Sequence, residues 1–211
     1  MNIVHHPADE DLVSCSAGSM PEALAAVMAG HISLCERCRK ELAIMDAIGA
    51  SLLENMHPSP LARSFVGVPS KTASRNVSKS LSGDVPLPLR KYVGPSLSNV
   101  PWKWIAPGIW QHRLPSSQRS KGFLRLIKVS PGLTLPDHGH TGSELTLVLQ
   151  GSFSDATGSY GVGDVASANE GDEHGPVAAA NGQECICLIA SEGPMLFRSF
   201  LARIVQRFTG F

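Results

Sequence analysis

The chain has 211 residues, 43% of them hydrophobic and 17% charged. It can therefore bury one or two modest cores and is too short for a large multidomain enzyme. Its formal net charge is zero, but residues 1–60 carry three basic and eight acidic side chains, residues 61–128 twelve and one, and residues 129–211 three and nine. The acidic first segment argues against an N-terminal nucleic-acid reader and suits a basic protein partner.

The N-terminus predicts a cytoplasmic protein. Residues 1–7 lack the basic and apolar regions of a secretory signal, and no later stretch has the roughly 18 uninterrupted apolar residues that a membrane span needs. In that reducing compartment the five cysteines are expected to be thiols or metal ligands rather than disulfides.

Residues 1–55 read as a helical domain. A short helix is predicted over residues 8–17, and Ser19 to Glu22 reads as a capping box for a second helix. A third helix is predicted over residues 35–55. The apolar positions of the two longer helices follow a helical spacing: Leu24, Val27, Met28 and His31, then Cys38, Leu42, Met45, Gly49 and Leu52.

His31, Cys35 and Cys38 stand at i, i+4 and i+7, where a helix end, a turn and the next helix start can aim all three side chains at one point. A tetrahedral zinc ion would complete that point. A thioredoxin-type redox pair is the alternative for Cys35 and Cys38, but it requires a βαβ context. His5, His6 and Cys15 are the candidates for the fourth ligand. A water molecule in that position would make the site resemble a catalytic zinc site.

Residues 56–99 are rich in proline and serine and are predicted to be a flexible linker. A short amphipathic helix is expected at residues 85–93, packed either on the N-terminal helices or on the next domain.

Residues 100–195 alternate short apolar runs with Gly and Pro clusters, which is typical of an all-β barrel or sandwich. Residues 196–211 form a basic amphipathic segment, with Leu196, Phe200, Ile204 and Phe208 at every fourth position. This segment either packs on the barrel or contacts a partner or a membrane surface.

The barrel region carries a second set of metal-binding residue types. Gly132-x5-His138-x-His140-x3-Glu144-x6-Gly151 resembles the first cupin motif at every fixed position, and His138 and His140 share one face of a strand. The second motif is carried by Gly163-x5-Asn169-x-Gly171-x2-His174. It departs from the family at Asn169, where proline is usual, and at Ala178, where asparagine is usual. Three imidazoles and one carboxylate suit zinc, iron, manganese, nickel or copper.

The remaining cysteines and histidines are less specific. Cys185 and Cys187 are predicted on one face of a strand, either as core residues or as a redox pair whose disulfide would be strained. Cys15 reads as a small buried hydrophobe, and His57 and His112 as ordinary solvated residues.

Taken together, His6, His31-x3-Cys35-x2-Cys38 and the two cupin motifs resemble the ChrR-type anti-sigma factors over nearly the whole chain. That resemblance implies a multidomain α plus β fold: an N-terminal zinc-binding helical bundle and a C-terminal cupin, a double-stranded β-barrel. It implies that His6 closes the first zinc site and that His138, His140, Glu144 and His174 hold a second metal, with zinc favoured.

The resemblance further implies a cytoplasmic anti-sigma factor, not an enzyme, that binds an extracytoplasmic-function (group IV) sigma factor in a 1:1 complex, without direct contact to nucleic acid or membrane. Release would follow singlet oxygen or organic hydroperoxide stress sensed by the cupin. The alternative is a cupin metalloenzyme, a dioxygenase or isomerase with an N-terminal zinc module. The basic residues 61–128 leave a third interpretation open, a zinc-dependent repressor that binds DNA.

Overall fold

The computed structural model describes residues 2–59, 83–116, 122–199 and 206. Residues 2–59 form the helices α1 (Asp9–Ser16), α2 (Glu22–Leu34) and α3 (Glu36–Glu54). A 3-10 turn (Leu87–Leu89) then leads into α4 (Arg90–Val93), and a second 3-10 turn (Leu97–Asn99) precedes the sheets. Residues 60–82 of the predicted linker lie outside the described residues.

Helix α2 buries the face that its apolar spacing predicts. Leu24, Val27, Met28 and His31 are all buried. The predicted capping box, however, is wrong. The residue before the helix is Pro21, which provides no side-chain cap, and Ser19 lies too far upstream to reach the first free N–H groups. The Ser19 hydroxyl instead donates to the carbonyl oxygen of Ser14.

Within the described residues, only the first half of the predicted apolar stripe on α3 packs against other parts of the chain. Cys38 is fully buried and Met45 is partly buried against the core. Gly49 and Leu52 are exposed, although their spacing continues the same stripe. The second half of α3 therefore presents apolar side chains to solvent.

The barrel region begins after the second 3-10 turn, and its described residues form twelve strands. In chain order these are β1 (Lys103–Ala106), β2 (Ile109–Arg113), β3 (Phe123–Val129), β4 (His138–His140), β5 (Glu144–Gln150), β6 (Phe153–Ser154), β7 (Ser159–Tyr160), β8 (Val165–Ala168), β9 (Glu173–His174), β10 (Val177–Ala178), β11 (Cys185–Ser191) and β12 (Met195–Phe197). All pairings are antiparallel. A six-stranded sheet of order β1-β2-β3-β11-β5-β8 faces two three-stranded sheets, β12-β4-β9 and β10-β6-β7.

The six-stranded sheet has two buried faces because successive side chains point to opposite sides. One face, with Ile127, Val148 and Ile189, lines the interior between the sheets. The other face packs against α2 and the Leu87–Leu89 turn; it carries Leu124, Leu126, Leu145, Leu147 and Leu188. The central strands β5 and β11 are consequently buried along almost their whole length, instead of alternating between buried and exposed residues.

The helices and the barrel share one apolar core. Gly30 on α2 lies so close to the sheet that a Cβ atom there would stand 2.8 Å from Cδ2 of Leu147. Leu89, which lies within the predicted linker, is buried in the same cluster. Each fully buried leucine contributes about 1.5–3 kcal/mol, so this contact stabilises the relative position of the two parts.

The end of the chain adds the edge strand β12 to β4. Most of the predicted amphipathic segment 196–211 lies outside the described residues. Gln206 is described, and its side-chain amide donates to the carbonyl oxygen of Met195 over 2.7 Å. No helix in the described part of the chain is both long and apolar enough to cross a membrane.

Candidate metal centres

Four side chains from three segments converge near the start of α3 to form site 1: His6, His31, Cys35 and Cys38. His31 lies in the last turn of α2, Cys35 immediately precedes α3, and Cys38 lies in its first turn. His6 comes from the extended segment before α1. One nitrogen or sulfur atom of each residue lies within 4.8 Å of those of the others.

The separations in site 1 fit a tetrahedral zinc ion. Ligands at zinc bond lengths of about 2.1 Å for nitrogen and 2.3 Å for sulfur stand about 3.3–3.8 Å apart. Nε2 of His31 lies 3.3 Å from Sγ of Cys38, and Nδ1 of His6 lies 3.4 Å from Sγ of Cys38 and 3.5 Å from Sγ of Cys35. The donor set of two imidazoles and two thiols is one that zinc prefers in structural sites.

The other candidates for the fourth position lie elsewhere. The His5 ring lies against Tyr160 in a tilted arrangement, with ring centroids 4.4 Å apart, and its Nδ1 lies 3.4 Å from a carboxylate oxygen of Asp164. Cys15 is partly buried against the core and does not belong to the site 1 group. The structure thus brings His6, rather than His5 or Cys15, to the other three side chains.

The protonation of site 1 is set by burial and by one hydrogen bond. Burial lowers the pKa of His31. Its Nδ1 donates to the carbonyl oxygen of Gly163 over 2.8 Å, which leaves the lone pair on Nε2 pointing at the two cysteines. Burial and the neighbouring Cys35 raise the pKa of Cys38 to about 12. Cys38 would therefore release its proton only on binding a metal ion.

Site 2 lies inside the barrel and consists of His138, His140, Glu144 and His174. The first two residues belong to β4, Glu144 opens β5, and His174 ends β9, which pairs directly with β4. Nε2 of His174 lies 3.1 Å from Nε2 of His138 and 3.2 Å from Nε2 of His140. Imidazole nitrogens at these two separations match the edges of a metal polyhedron with bonds of about 2.1 Å.

Glu144 supports the same interpretation of site 2. Its side chain is 3% exposed, and its Oε2 has no hydrogen-bond partner, although Nδ1 of His140 is 3.4 Å away. A buried carboxylate oxygen without a donor is costly unless a cation or a proton satisfies it. The donor set of site 2 therefore fits a divalent metal ion, which would act there as a Lewis acid or a structural centre.

Two hydrogen bonds orient the histidines of site 2. Nδ1 of His138 donates to the carbonyl oxygen of Pro136 over 3.0 Å, and Nδ1 of His174 donates to Oδ2 of Asp155 over 2.9 Å. Burial alone would raise the pKa of Asp155, but hydrogen bonds from Thr157 and His174 outweigh it and hold the pKa below its ordinary value. Asp155 is thus a charged partner that directs the lone pair of His174 Nε2 into the site.

The barrel encloses a mainly apolar cavity of about 450 Å³ that His138, Glu144 and His174 line on one side. Cys185 and Cys187 of β11 face the same cavity, as their alternation predicts, and their sulfur atoms lie 3.7 Å apart. The hydrogen bond between them lowers the pKa of Cys185 and raises that of Cys187. The cavity therefore places a dithiol and a metal-binding group in one chamber.

Three residues make contacts at the two sites that the sequence does not predict, although Gly163 itself belongs to the second cupin motif. Asp155, Gly163 and Asp164 contact residues that stand 19 or more positions away in the chain. No local spacing links an aspartate to a histidine at such separations, so motif reasoning had no signal for them. His57 is exposed and His112 is half-buried; among the described residues, neither belongs to a metal-binding group.

Known proteins resemble this chain over the residues of both sites. Residues 93–195 match the family model described as the ChrR cupin-like domain. The chain is 39% identical over 213 residues to the anti-sigma-E factor ChrR of Cereibacter sphaeroides, with 99% of each chain covered. A chain in the crystal structure of Rhodobacter sphaeroides SigE in complex with the anti-sigma ChrR matches with a TM-score of 0.75 and 39% identity; the match covers 90% of this chain and 100% of that one.

Proposed function

The chain belongs to the ChrR-type anti-sigma factors, as its motifs predict, and we propose that it binds and inhibits an extracytoplasmic-function sigma factor in a 1:1 complex in the cytoplasm. The fold, helices followed by a cupin barrel, agrees with the predicted class. Family membership is also in line with a protein that is not an enzyme. A matching chain comes from a complex of an anti-sigma factor with SigE, which supports a sigma factor as the partner.

The observation that carries this proposal on the chain itself is a second apolar stripe on α3, which is exposed and shares only Leu52 with the predicted one. Ile44, Ile48 and Leu52 follow one another at four-residue intervals, so they share one face of the helix. They are 63%, 58% and 66% exposed. An apolar helix face that no other described residue covers is typical of a docking surface for a partner. The acidic balance of residues 1–60 suits the basic surface of a protein that binds DNA.

We propose that zinc at site 1 maintains that docking surface. Its ligands would be His6, His31, Cys35 and Cys38, which join the N-terminal segment, the end of α2 and the start of α3. A closed zinc site of this kind contributes folding energy directly. The orientation of α3, and with it the stripe, would then depend on the metal.

We assign the sensing of singlet oxygen or organic hydroperoxide to the barrel. His138, His140, Glu144 and His174 would hold the metal there, with zinc favoured by the family resemblance. The cavity beside them has room for a small molecule and exposes the sulfur atoms of Cys185 and Cys187 to it. A change at this site would release the sigma factor.

Co-purification tests the sigma-binding proposal. The full-length chain is co-expressed with an extracytoplasmic-function sigma factor from the same genome, and we expect a stable 1:1 complex. Leu52→Glu should abolish it, because the substitution places a charge in the apolar interface. Leu196→Glu is the matched control, since Leu196 is 54% exposed on β12, and it should leave binding unchanged. If both variants bound the sigma factor equally well, the stripe would not be part of the interface.

A full-length variant tests the division between binding and sensing. Truncation before the barrel is unsuitable because it would uncover the apolar face that α2 shares with the six-stranded sheet. We expect Glu144→Gln to bind the sigma factor like the wild type but to lose release under singlet oxygen or hydroperoxide. Unchanged release by this variant would exclude site 2 as the sensor.

The cavity also favours a second candidate, a cupin metalloenzyme that acts on a small apolar molecule. The cavity of about 450 Å³ lies against the metal-binding group, as a substrate site would. Metal analysis of the purified protein distinguishes the two functions. Redox-active iron at site 2 together with turnover of a substrate supports the enzyme, whereas zinc at both sites supports the sensor.

A further inference from the structure

One turn of the barrel holds two separate parts of site 1. The carbonyl oxygen of Gly163, between β7 and β8, accepts the hydrogen bond from Nδ1 of His31. The adjacent Asp164 accepts hydrogen bonds at Oδ1 from the backbone N–H groups of Val4 and His5, over 2.7 and 3.0 Å. These two residues immediately precede His6. The turn therefore fixes one ligand ring directly and the backbone that carries a second ligand.

The other end of the same hairpin touches site 2. Asp155, just after β6, accepts the hydrogen bond from Nδ1 of His174 at one carboxylate oxygen. Its other oxygen accepts from the backbone N–H of Thr157 over 2.8 Å and from the Thr157 hydroxyl. Because the Thr157 hydroxyl donates to Asp155, it must accept from the Tyr160 hydroxyl, which lies 2.7 Å away.

The two ends meet at the Tyr160 ring. This ring contacts the ring of His5 in a tilted arrangement, with 4.4 Å between the centroids. Nδ1 of His5 lies 3.4 Å from Oδ2 of Asp164, which also accepts from the N–H of Gly161 over 2.9 Å. An unbroken series of contacts thus runs from His174 through Asp155, Thr157, Tyr160 and His5 to Asp164. We call residues 153–165 the coupling hairpin.

We propose that the coupling hairpin transmits the occupancy of site 2 to the metal at site 1, with Asp155, Tyr160 and Asp164 as positioning residues. This inference rests on the proposed function in that both sites bind metal. When a metal ion holds His174, the imidazole presents its Nδ1–H to Asp155 in one orientation. When the ion is lost or its coordination changes, that orientation is no longer imposed, and the contacts as far as His5 and Asp164 readjust. The element that responds is the segment bearing His6.

The structure contains one competing route. Glu144 opens β5, and Leu147 of the same strand packs against Gly30 of α2, the helix that ends with His31. A shift of β5 would reach site 1 through this apolar contact without the hairpin. The two routes are separable because Tyr160 and Thr157 contribute only to the first.

A double-mutant cycle on the full-length chain tests the proposal. Both sites are loaded with cobalt(II), and the thiolate charge-transfer absorption reports site 1 alone, since site 2 offers only nitrogen and oxygen ligands. The rate at which EDTA abolishes this absorption is measured with and without Glu144→Gln, which weakens metal binding at site 2. We expect the substitution to change that rate about tenfold in the wild-type background, within the 5–150-fold range of coupled sites.

Breaking the hairpin should remove this effect. In the Tyr160→Phe background, and independently in Thr157→Val, Glu144→Gln should change the rate less than about twofold, because the hydroxyl contact is missing while the ring at position 160 still contacts His5. Tyr92→Phe is the matched control, because Tyr92 lies outside the hairpin, and it should preserve the tenfold change.

Two results would overturn the proposal. One is a tenfold change that persists in both hairpin variants, which would assign the coupling to the contact between β5 and α2. The other is no effect of Glu144→Gln in any background. Neither result bears on sigma-factor binding, which is measured with the wild-type chain. If the wild-type chain did not bind a sigma factor, the proposed function would be rejected, and the cobalt result would be unaffected.

Discussion

Nδ1 of His31, at the end of the second helix, donates a hydrogen bond to the backbone carbonyl oxygen of Gly163, 132 residues further along the chain and 2.8 Å away. The bond selects the tautomer in which Nε2 is free to face Cys38. A candidate zinc ligand of the helical part is therefore oriented by the barrel. The two parts meet at a metal-binding group, and not only through an apolar core.

Replacement of both cysteines of site 1 should remove one metal ion. Cys35→Ser with Cys38→Ser leaves two imidazoles, which bind zinc much more weakly than the complete set. Zinc content measured by mass spectrometry of the purified protein should fall by one equivalent while site 2 keeps its metal. Cys15→Ser is the control and should retain the full content, because Cys15 stands outside the group. A full zinc content in the double variant would exclude site 1 as a zinc site.

Removal of the carboxylate that anchors the N-terminal segment should weaken zinc at site 1. In Asp164→Ala the N–H groups of Val4 and His5 lose their acceptor, and the backbone that carries His6 is no longer held. Loss of an outer contact of this kind typically costs about 10–100-fold in metal affinity. Competition with a chromophoric chelator measures it. Asp9→Ala, which changes an exposed aspartate of α1, should leave the affinity unaltered.

The same carboxylate predicts a pH dependence of stability. Burial alone would raise the pKa of Asp164, but hydrogen bonds from the backbone of His5, Gly161 and Val4 outweigh it and lower the pKa. A lowered pKa in the folded state contributes stability above the unfolded value of about 3.9, and this contribution is lost as the pH falls through the folded value. Asp164→Asn should therefore cost about 1–2 kcal/mol at pH 7.

The measurement is urea unfolding of both proteins between pH 7 and pH 3. The cost of Asp164→Asn should stay constant down to about pH 4 and shrink below it. The readout is the difference between the two proteins, both measured with a chelator present, so that a difference in zinc affinity at site 1 does not contribute. A difference that grows as the pH falls has the opposite sign and would contradict the assignment of a lowered pKa.

The close approach of α2 to the sheet predicts effects of different size at two helical glycines. A side chain at Gly30 would meet Cδ2 of Leu147 at 2.8 Å and Cδ1 of Leu89 at 3.3 Å, whereas Gly49 on α3 has no atom within 4 Å. Gly30→Val should lower the free energy of unfolding by about 1–3 kcal/mol through overpacking. Gly49→Val should change it by less than about 0.5 kcal/mol. Thermal unfolding compares the two, and equal effects would show that α2 and the sheet do not pack this closely.

The local parts of both sites could be predicted because they depend on one or two adjacent elements. His31, Cys35 and Cys38 converge wherever a helix ends and another begins at that spacing, and His138 and His140 share a face of any strand that contains them. The strands β3, β5 and β11 agree with apolar runs that are visible in the chain. In these cases the backbone period alone places the side chains.

Other features could not be derived from spacing, because they depend on how distant elements are arranged. His5 and His6 are neighbours with the same chemistry, and the sequence resemblance favoured His6; in the structure, Asp164 and Tyr160 engage His5 while His6 faces the cysteines. The uncovered half of α3 has the same apolar period as the packed half, so the positions of α1 and α2 against α3 decide which half is buried.

The sequence by itself determined the ligand types, their local spacing and the order of a helical part before a barrel, since these follow from short-range geometry and composition. Only the tertiary structure decided that Asp155 orients His174, that Gly163 orients His31 and that one hairpin connects them. The physical reason is that a hydrogen bond between residues far apart in the chain requires two independently folded segments to lie within about 3 Å, and no local periodicity encodes that distance.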